Sequence, residues 1–216
     1  MNKINYQIIL DNEIKKAQSE GRHPRVLMQA CCAPCSSYVM EYLSSIFDLT
    51  MYFYNPNISP QSEYAFRGNE LERLISTMPL GGDVKLIRAE YEPEKFREIA
   101  RGMENLPEGG ERCFKCYRLR LEKTAAYAKE NGFDYFSTTL SISPHKNAQK
   151  LNEIGKELSE KYDIPYLFSD FKKKGGYKRS CTLSTEYNLY RQNYCGCVYS
   201  KAEAERRCAE KSIKEN

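Results

Sequence analysis

The sequence predicts an α/β protein: an open parallel sheet of about five strands with helices on both faces, plus a helical C-terminal part. Three observations predict it. Short apolar runs alternate with amphipathic helical patterns from end to end. No internal repeat, low-complexity tract or long Pro/Gly/Ser linker interrupts that alternation. The 216 residues, 41% hydrophobic and 29% charged, suit one substantial globular unit rather than a disordered polypeptide. The expected organisation is a single α/β domain over residues 1–216, with a helical extension at 180–216.

The first strand is expected at 25–30 and runs into Cys31-Cys32-Ala33-Pro34-Cys35, with a helix beginning near Ser36. The second, 49–55, ends in Asn55-Pro56-Asn57, and the third is expected at 84–90. Phe114, Tyr117, Leu121, Ala125 and Ala128 then share one helical face, stopped by Asn131-Gly132. The fourth strand, 135–141, leads into Ser143-Pro144-His145-Lys146-Asn147. Ser143 reads as an N-cap and Pro144 as the first helical residue. Ala148, Leu151, Ile154, Leu158 and Tyr162 mark that helix. The fifth strand, 164–169, ends in Asp170-Phe171 and a lysine-rich loop. From about Ser180 the sequence reads as helical and carries Tyr194-Cys195-Gly196-Cys197. Ligands of open α/β sheets bind outside the carboxyl ends of the strands, so nearly every chemically interesting segment falls on one rim.

The N-terminal MNKINYQIILDNEIKK has no apolar signal region, and no stretch approaches about 18 apolar residues. Neither export nor a membrane span is expected, and a cytoplasmic location follows as the default. Nine cysteines in such a protein argue for reduced thiols, metal or redox chemistry rather than a disulfide scaffold. Seven fall in three groups: Cys31, Cys32 and Cys35; Cys113 and Cys116; Cys195 and Cys197. Thiolate is the soft ligand that zinc, copper(I) and iron–sulfur clusters select. The first group enters a helix N-terminus, which favours thiolate. Cys31 and Cys32, adjacent in an extended backbone, are expected to point to opposite sides and serve different metal atoms. Cys113 and Cys116 form a half-site for zinc or iron–sulfur, and Gly196 permits a turn that aims Cys195 and Cys197 at one centre. A [4Fe–4S] cluster takes at most four protein thiolates, and the surplus favours a second metal. Cys181 and Cys208 read as filler or surface thiols. With only His23 and His145 present, a histidine-rich metal site is excluded.

The net charge of +4 is too small to establish a nucleic-acid partner. Lys172, Lys173, Lys174, Lys178 and Arg179 surround Gly175-Gly176-Tyr177. This stretch suits a phosphate backbone and equally a solvated loop. Lys146, with the free N–H groups of a helix start, suits an anion; a plain capped helix is the other reading. Asn55 and Asn57 are placed to read a substrate by hydrogen bonds, or to serve as ordinary turn residues.

Together, C-C-A-P-C, the C-x-x-C of Cys113 and Cys116, S-P-H-K-N, D-F-K-K-K-G-G-Y and Y-R-Q-N-Y-C-G-C resemble the cobalamin-independent epoxyqueuosine reductases of tRNA queuosine synthesis, the QueH family. The resemblance spans about residues 26–200. It implies a HUP/Rossmann-like fold in which cysteines replace the Gly/Ser-rich loop of ATP pyrophosphatases, so no ATP chemistry is expected. It implies reduction of an epoxide on a modified guanosine at the tRNA wobble position to the alkene, queuosine, with oxygen lost as water. The partners implied are such a tRNA and an external electron donor. The implied metal set is Cys31, Cys32, Cys35, Cys113, Cys116, Cys195 and Cys197, holding a [4Fe–4S] cluster and an adjacent iron, with the division between them open. Asp170 and His145 are the candidate proton donors. Lys146, Asn147, Asn55 and Asn57 are assigned to substrate. Lys172, Lys173, Lys174, Lys178 and Arg179 are assigned to anticodon phosphates, with Tyr177 or Tyr54 stacking on a base. Gln29 stands where the family leads one to expect His, and no role is assigned to it.

Three other readings compete. Cys32-Ala33-Pro34-Cys35 resembles a thioredoxin-type C-x-P-C, which leaves five clustered cysteines unexplained. A zinc-stabilised RNA-binding module would be colourless where an iron–sulfur protein absorbs visible light. Cluster-dependent tRNA sulfur transfer should retain an S-G-G-x-D-S-type loop, and this sequence shows none.

Overall fold

Four of the apolar runs become strands of one parallel sheet: β1 (Arg25–Gln29), β2 (Asp48–Phe53), β3 (Lys85–Arg88) and β4 (Tyr135–Thr138). Their order is β3-β2-β1-β4. This computed structural model describes residues 4–214. Residues 1–3 and 215–216, at the ends of the unit and of the extension expected from sequence, lie outside the described residues. Register is set by pairs such as Met28 with Met51 on one side of β1 and Met28 with Ser137 on the other.

Alternation along β1 divides the core. Val26 and Met28 face one layer, where they meet Leu10 and Ile14 of α1 (Tyr6–Ser19). The same layer takes Val39, Met40 and Leu43 of α2 (Ala33–Leu43), Leu71 and Leu74 of α3 (Gln61–Thr77) and Leu183 of α7 (Gly176–Glu186). Leu27 faces the other layer, with Tyr117, Leu121, Ala125 and Ala128 of α5 (Glu111–Glu130) and Leu151, Ile154 and Leu158 of α6 (Ala148–Tyr162). Both faces are covered, as a parallel sheet requires. Two more helices complete the order, α4 (Pro93–Ala100) and α8 (Val198–Lys214).

Two local expectations are corrected. The run at 164–169 makes only one bridge, Phe136 with Tyr166. Pro165 lacks an N–H and can only accept there, from Phe136 N at 3.1 Å. Ser169 instead has both backbone groups bonded by the Asn152 amide of α6. The helix expected to open at Ser143 opens at Ala148, with Asn147 as N-cap accepting from Lys150 N at 3.0 Å. Residues Thr139–Ile142 form a 3-10 turn first, and Ser143 closes it.

The polypeptide leaves β1 for α2 on one side of the sheet, whereas β4 joins the opposite edge of β1. The β1/β4 boundary is therefore the topological switch point, where a crevice opens beyond the carboxyl ends.

Candidate metal centre

Beyond β1 the backbone runs on through Ala30, whose N–H donates to Tyr52 O at 2.9 Å. It then turns into α2 at Cys32, an extended N-cap residue with no side-chain capping bond. That turn brings together what a straight strand would separate. The Sγ atoms of Cys31, Cys32 and Cys35 all lie within 4.8 Å of one another, those of Cys31 and Cys32 at 3.6 Å. The expectation that Cys31 and Cys32 point apart is corrected accordingly. Thr139, just past β4, sets its hydroxyl 3.9 Å from Cys31 Sγ. Hydrogen bonds from the Cys32 and Cys35 thiols, with help from the Arg120 charge, hold the Cys31 thiol well below its ordinary range despite burial. The same proton sharing pushes Cys32 up to about 12 and Cys35 well above its usual value. One thiolate is thus favoured in the triad, and ionising the others calls for a cation.

Cys113 and Cys116 lie in the first two turns of α5, so both sulfurs project from one face. Cys195 and Cys197 flank Gly196, whose φ of +124° favours glycine. A Cβ there would stand 3.0 Å from Ile58 and 3.1 Å from the Arg67 guanidinium. The turn is clipped in place by Ser59 N donating to Gly196 O at 3.0 Å and by Arg67 Nη1 donating to Cys195 O at 2.9 Å. These four cysteines line one small chamber with Asn57, Tyr117, Arg120 and the Lys146–Glu108 pair. Burial raises Cys113, Cys116 (to about 12) and Cys197. The Cys31–Cys32–Cys35 triad lines a larger neighbouring cavity of about 180 Å³. Cys195, Glu108 and Lys146 belong to the walls of both, so the two sites adjoin.

Three arginines, Arg67, Arg112 and Arg120, are the largest fully buried side chains described. Among the described residues, only Arg67 of the three has a carboxylate partner, Glu63 at 2.8 Å. Arg112 Nη1 donates to the carbonyls of Met103, Glu104 and Leu106, while its Nε is buried without a partner. Arg120 Nη2 donates to Asn55 Oδ1 at 2.6 Å and Gln29 Oε1 at 3.3 Å. Burial opposes its charge, and Cys116 and Cys31 favour it. Buried cations without carboxylates are costly unless negative charge is buried beside them. Thiolates on a bound metal would supply that charge, so the residues present are compatible with a metal cofactor, and the Cys31–Cys32–Cys35 triad has the spacing to hold a metal ion.

Several expected residues are brought to this place. His145, Lys146 and Tyr177 line the larger cavity, and Asn57 lines the smaller. Lys146 is buried and ion-paired with Glu108 at 2.7 Å. Burial works against its charge, but Cys195, Tyr117 and Glu108 raise its pKa. Asn55 is fully buried, its amide donating to Ala30 O at 2.8 Å while accepting from Arg120 and Gln29. Its place is in the framework below the thiols. Tyr54 is likewise buried, against Tyr52, and presents no open face for stacking.

Others are not brought there. Asn147 caps α6. Asp170 pairs with Lys172, Lys174 with Asp11 at 2.7 Å, and Arg179 with Glu41. None of these, nor Lys173 or Lys178, is part of either cavity wall.

Sequence reasoning missed Arg67, Arg112, Arg120, Glu108, Arg191 and Arg207. One available signal was the spacing Cys113, Cys116, Tyr117, Arg120, a single helical face that continues the ligand face to the arginine. Among the described residues, no helix is long and apolar enough to cross a membrane.

The family model for Epoxyqueuosine reductase QueH matches residues 26–203. A Staphylococcus epidermidis protein named Epoxyqueuosine reductase QueH is 45% identical over 202 residues, covering 92% of this chain and 85% of that one. Its namesake from Streptococcus pyogenes serotype M1 is 46% identical over 200 residues, covering 92% and 78%. The Thermotoga maritima protein of the same name is 39% identical over 195 residues, covering 88% and 96%. A match over most of the sequence, together with relatives this similar along most of their own length, means that the chain belongs to the QueH family of epoxyqueuosine reductases.

Proposed function

We propose that the protein is an oxidoreductase that reduces the epoxide of epoxyqueuosine, at the wobble position of a tRNA anticodon, to queuosine. The observation that carries this reading is the convergence of all seven motif cysteines on two adjoining cavities at the β1/β4 switch point, in a member of the QueH family. Reduction takes two electrons and two protons: both C–O bonds break, a C=C bond forms, and the oxygen leaves as water. The electrons come from an external one-electron donor. The reaction belongs in the cytoplasm, and the protein acts as one unit, with residues 180–216 contributing Cys195 and Cys197.

We assign Cys113, Cys116, Cys195 and Cys197 to a [4Fe–4S] cluster and Cys31, Cys32 and Cys35 to an adjacent iron. Bound there, these groups would supply electrons one at a time and a Lewis acid for the epoxide oxygen. The protein's own residues do the rest. Arg67, Arg112 and Arg120 balance the buried thiolates. Pro34, Leu140 and Ile142 give the larger cavity apolar walls that exclude water from the reacting carbons. His145, on the wall of that cavity, is the proton donor for the departing oxygen. Asp170, ion-paired with Lys172 and outside the wall, is not assigned that role. The thioredoxin-type and zinc-module readings are not favoured, since the family is one of epoxyqueuosine reductases.

The test is direct. Anaerobically purified protein, given dithionite and a tRNA that carries epoxyqueuosine, should convert the nucleoside to queuosine, seen by mass spectrometry after nuclease digestion as loss of one oxygen. Unchanged epoxide from protein with its full metal content would contradict the reading.

A further inference from the structure

The sequence has 17 tyrosines and nine phenylalanines. Among those described, only three are exposed: Phe66 (46%), Tyr177 (37%) and Tyr190 (38%). One of them, Tyr177, lines the larger cavity, and the other two are sequence neighbours of residues that line it: Phe66 precedes Arg67, and Tyr190 precedes Arg191. Isolated exposed apolar residues are ordinary, but one exposed ring in the cavity wall and a packed pair of exposed rings beside its lining residues are informative.

The rings are also arranged. Phe66 and Tyr190, from α3 and from the loop after α7, meet edge to face with centroids 5.0 Å apart and planes at 77°. The Arg191 guanidinium lies over the Tyr177 ring at 5.8 Å. Its Nη1 donates to Ser184 Oγ at 3.0 Å, which fixes the fork in that position. Tyr190 is tied by its N–H to Glu70 at 3.5 Å, and Gln192 donates to the Tyr190 carbonyl at 3.0 Å. Arg191 turns its guanidinium to neutral acceptors, Ser184 Oγ and Ser180 O, and Arg207 from α8 adds a second, exposed cation to the wall.

We infer that this rim is the nucleic-acid contact surface of the protein: the nucleotides flanking the modified wobble nucleoside stack on Tyr177 and on the Phe66–Tyr190 pair, while Arg191 and Arg207 hold the backbone phosphates. The inference rests on the function proposed above and locates where its RNA partner docks. Unstacked anticodon bases are recognised on aromatic rings and guanidinium planes, with cations at the phosphates. Tyr177, Arg191 and Arg207 offer both in the wall of the cavity that holds the Cys31–Cys32–Cys35 triad, and the Phe66–Tyr190 pair adjoins Arg191 in sequence. Lys172, Lys174 and Arg179 already have carboxylate partners and lie outside that wall. They are the weaker candidates, despite their density in sequence.

The experiment uses the holoprotein, prepared anaerobically, and an unmodified tRNA transcript with G at the wobble position, with binding followed by fluorescence anisotropy across a salt series. Tyr190→Ala and Tyr177→Ala should each weaken binding roughly tenfold or more. Arg191→Ala should weaken it and lower the salt slope by about one. Iron and sulfide content should stay at the wild-type value in all three, and Lys172→Ala/Lys173→Ala/Lys174→Ala should affect binding less than any of them. Wild-type affinity in the rim variants, or a larger loss in the triple lysine variant, would overturn the inference while leaving epoxide reduction by the wild type standing. If wild type neither binds tRNA nor reduces its epoxide, the proposed function and the rim fall together.

Discussion

Arg120 is the residue on which the electrostatics of the centre turn. It extends from α5 one turn past Cys116, fully buried, with amide oxygens rather than carboxylates as hydrogen-bond acceptors. Through Asn55 and Gln29 it is coupled to Ala30 O and Thr138 Oγ1, the ends of β1 and β4. Arg120→Met removes the cation and leaves two buried amides short of a donor. We expect the metal-loaded protein to lose about 3 kcal/mol in denaturant unfolding, and wild-type stability would remove Arg120 from this role. Cysteine substitutions separate the two sites. Cys116→Ser should abolish acid-labile sulfide, whereas Cys35→Ser should keep the sulfide and lose only the additional iron; equal sulfide loss in both would refute the four-and-three division. The grouping of the cysteines was legible in sequence because residue identity and spacing are local, and the structure brings the three groups to two adjoining cavities. The arginines were not legible, since a charged residue in an amphipathic helix ordinarily reads as solvated, and the acceptors that hold Arg120 and Arg67, on Asn55, Gln29 and Cys195, come from other elements.

At the scale of elements, the alternation of apolar runs and helical faces named the four strands and the α5 and α6 helices, because burial periodicity is a local property. What it could not show depended on partners distant in sequence. The run at 164–169 has the apolar content of a strand, yet Pro165 limits its pairing and Asn152 takes over the backbone bonds of Ser169. Ser143 and Asn147 are both good caps, and the 3-10 turn at Thr139–Ile142 leaves the helix to the second. Lys174 of the lysine-rich loop likewise meets its counter-charge on α1, at Asp11, and Arg179 of α7 meets Glu41 of α2. The packing of α6 on the 164–169 segment makes a prediction at this scale. A Cβ at Gly155 would lie 2.4 Å from the Tyr166 ring, which is itself buried. Alanine is the better helix former by about 1 kcal/mol, but overpacking costs about 1–3 kcal/mol. Gly155→Ala should therefore lower the urea midpoint, and an increase would show that Tyr166 yields easily.

Across the whole molecule, the topology explains why cysteines so far apart in sequence can act together. The sheet order places the ends of β1 and β4 side by side at a switch point, which delivers Cys31, Cys32 and Cys35 on one side and Thr139 on the other. Helix α5 brings Cys113 and Cys116 beneath that crevice, and the loop before α8 brings Cys195 and Cys197 across it. Each cysteine group thus comes from a different element, and the centre exists only when the protein is folded. The most direct test is iron and acid-labile sulfide per polypeptide, with EPR before and after reduction, on protein purified without oxygen. We predict about four sulfides and four to five irons, with a reducible signal. A colourless protein holding zinc and no sulfide would contradict a redox metal centre at this switch point.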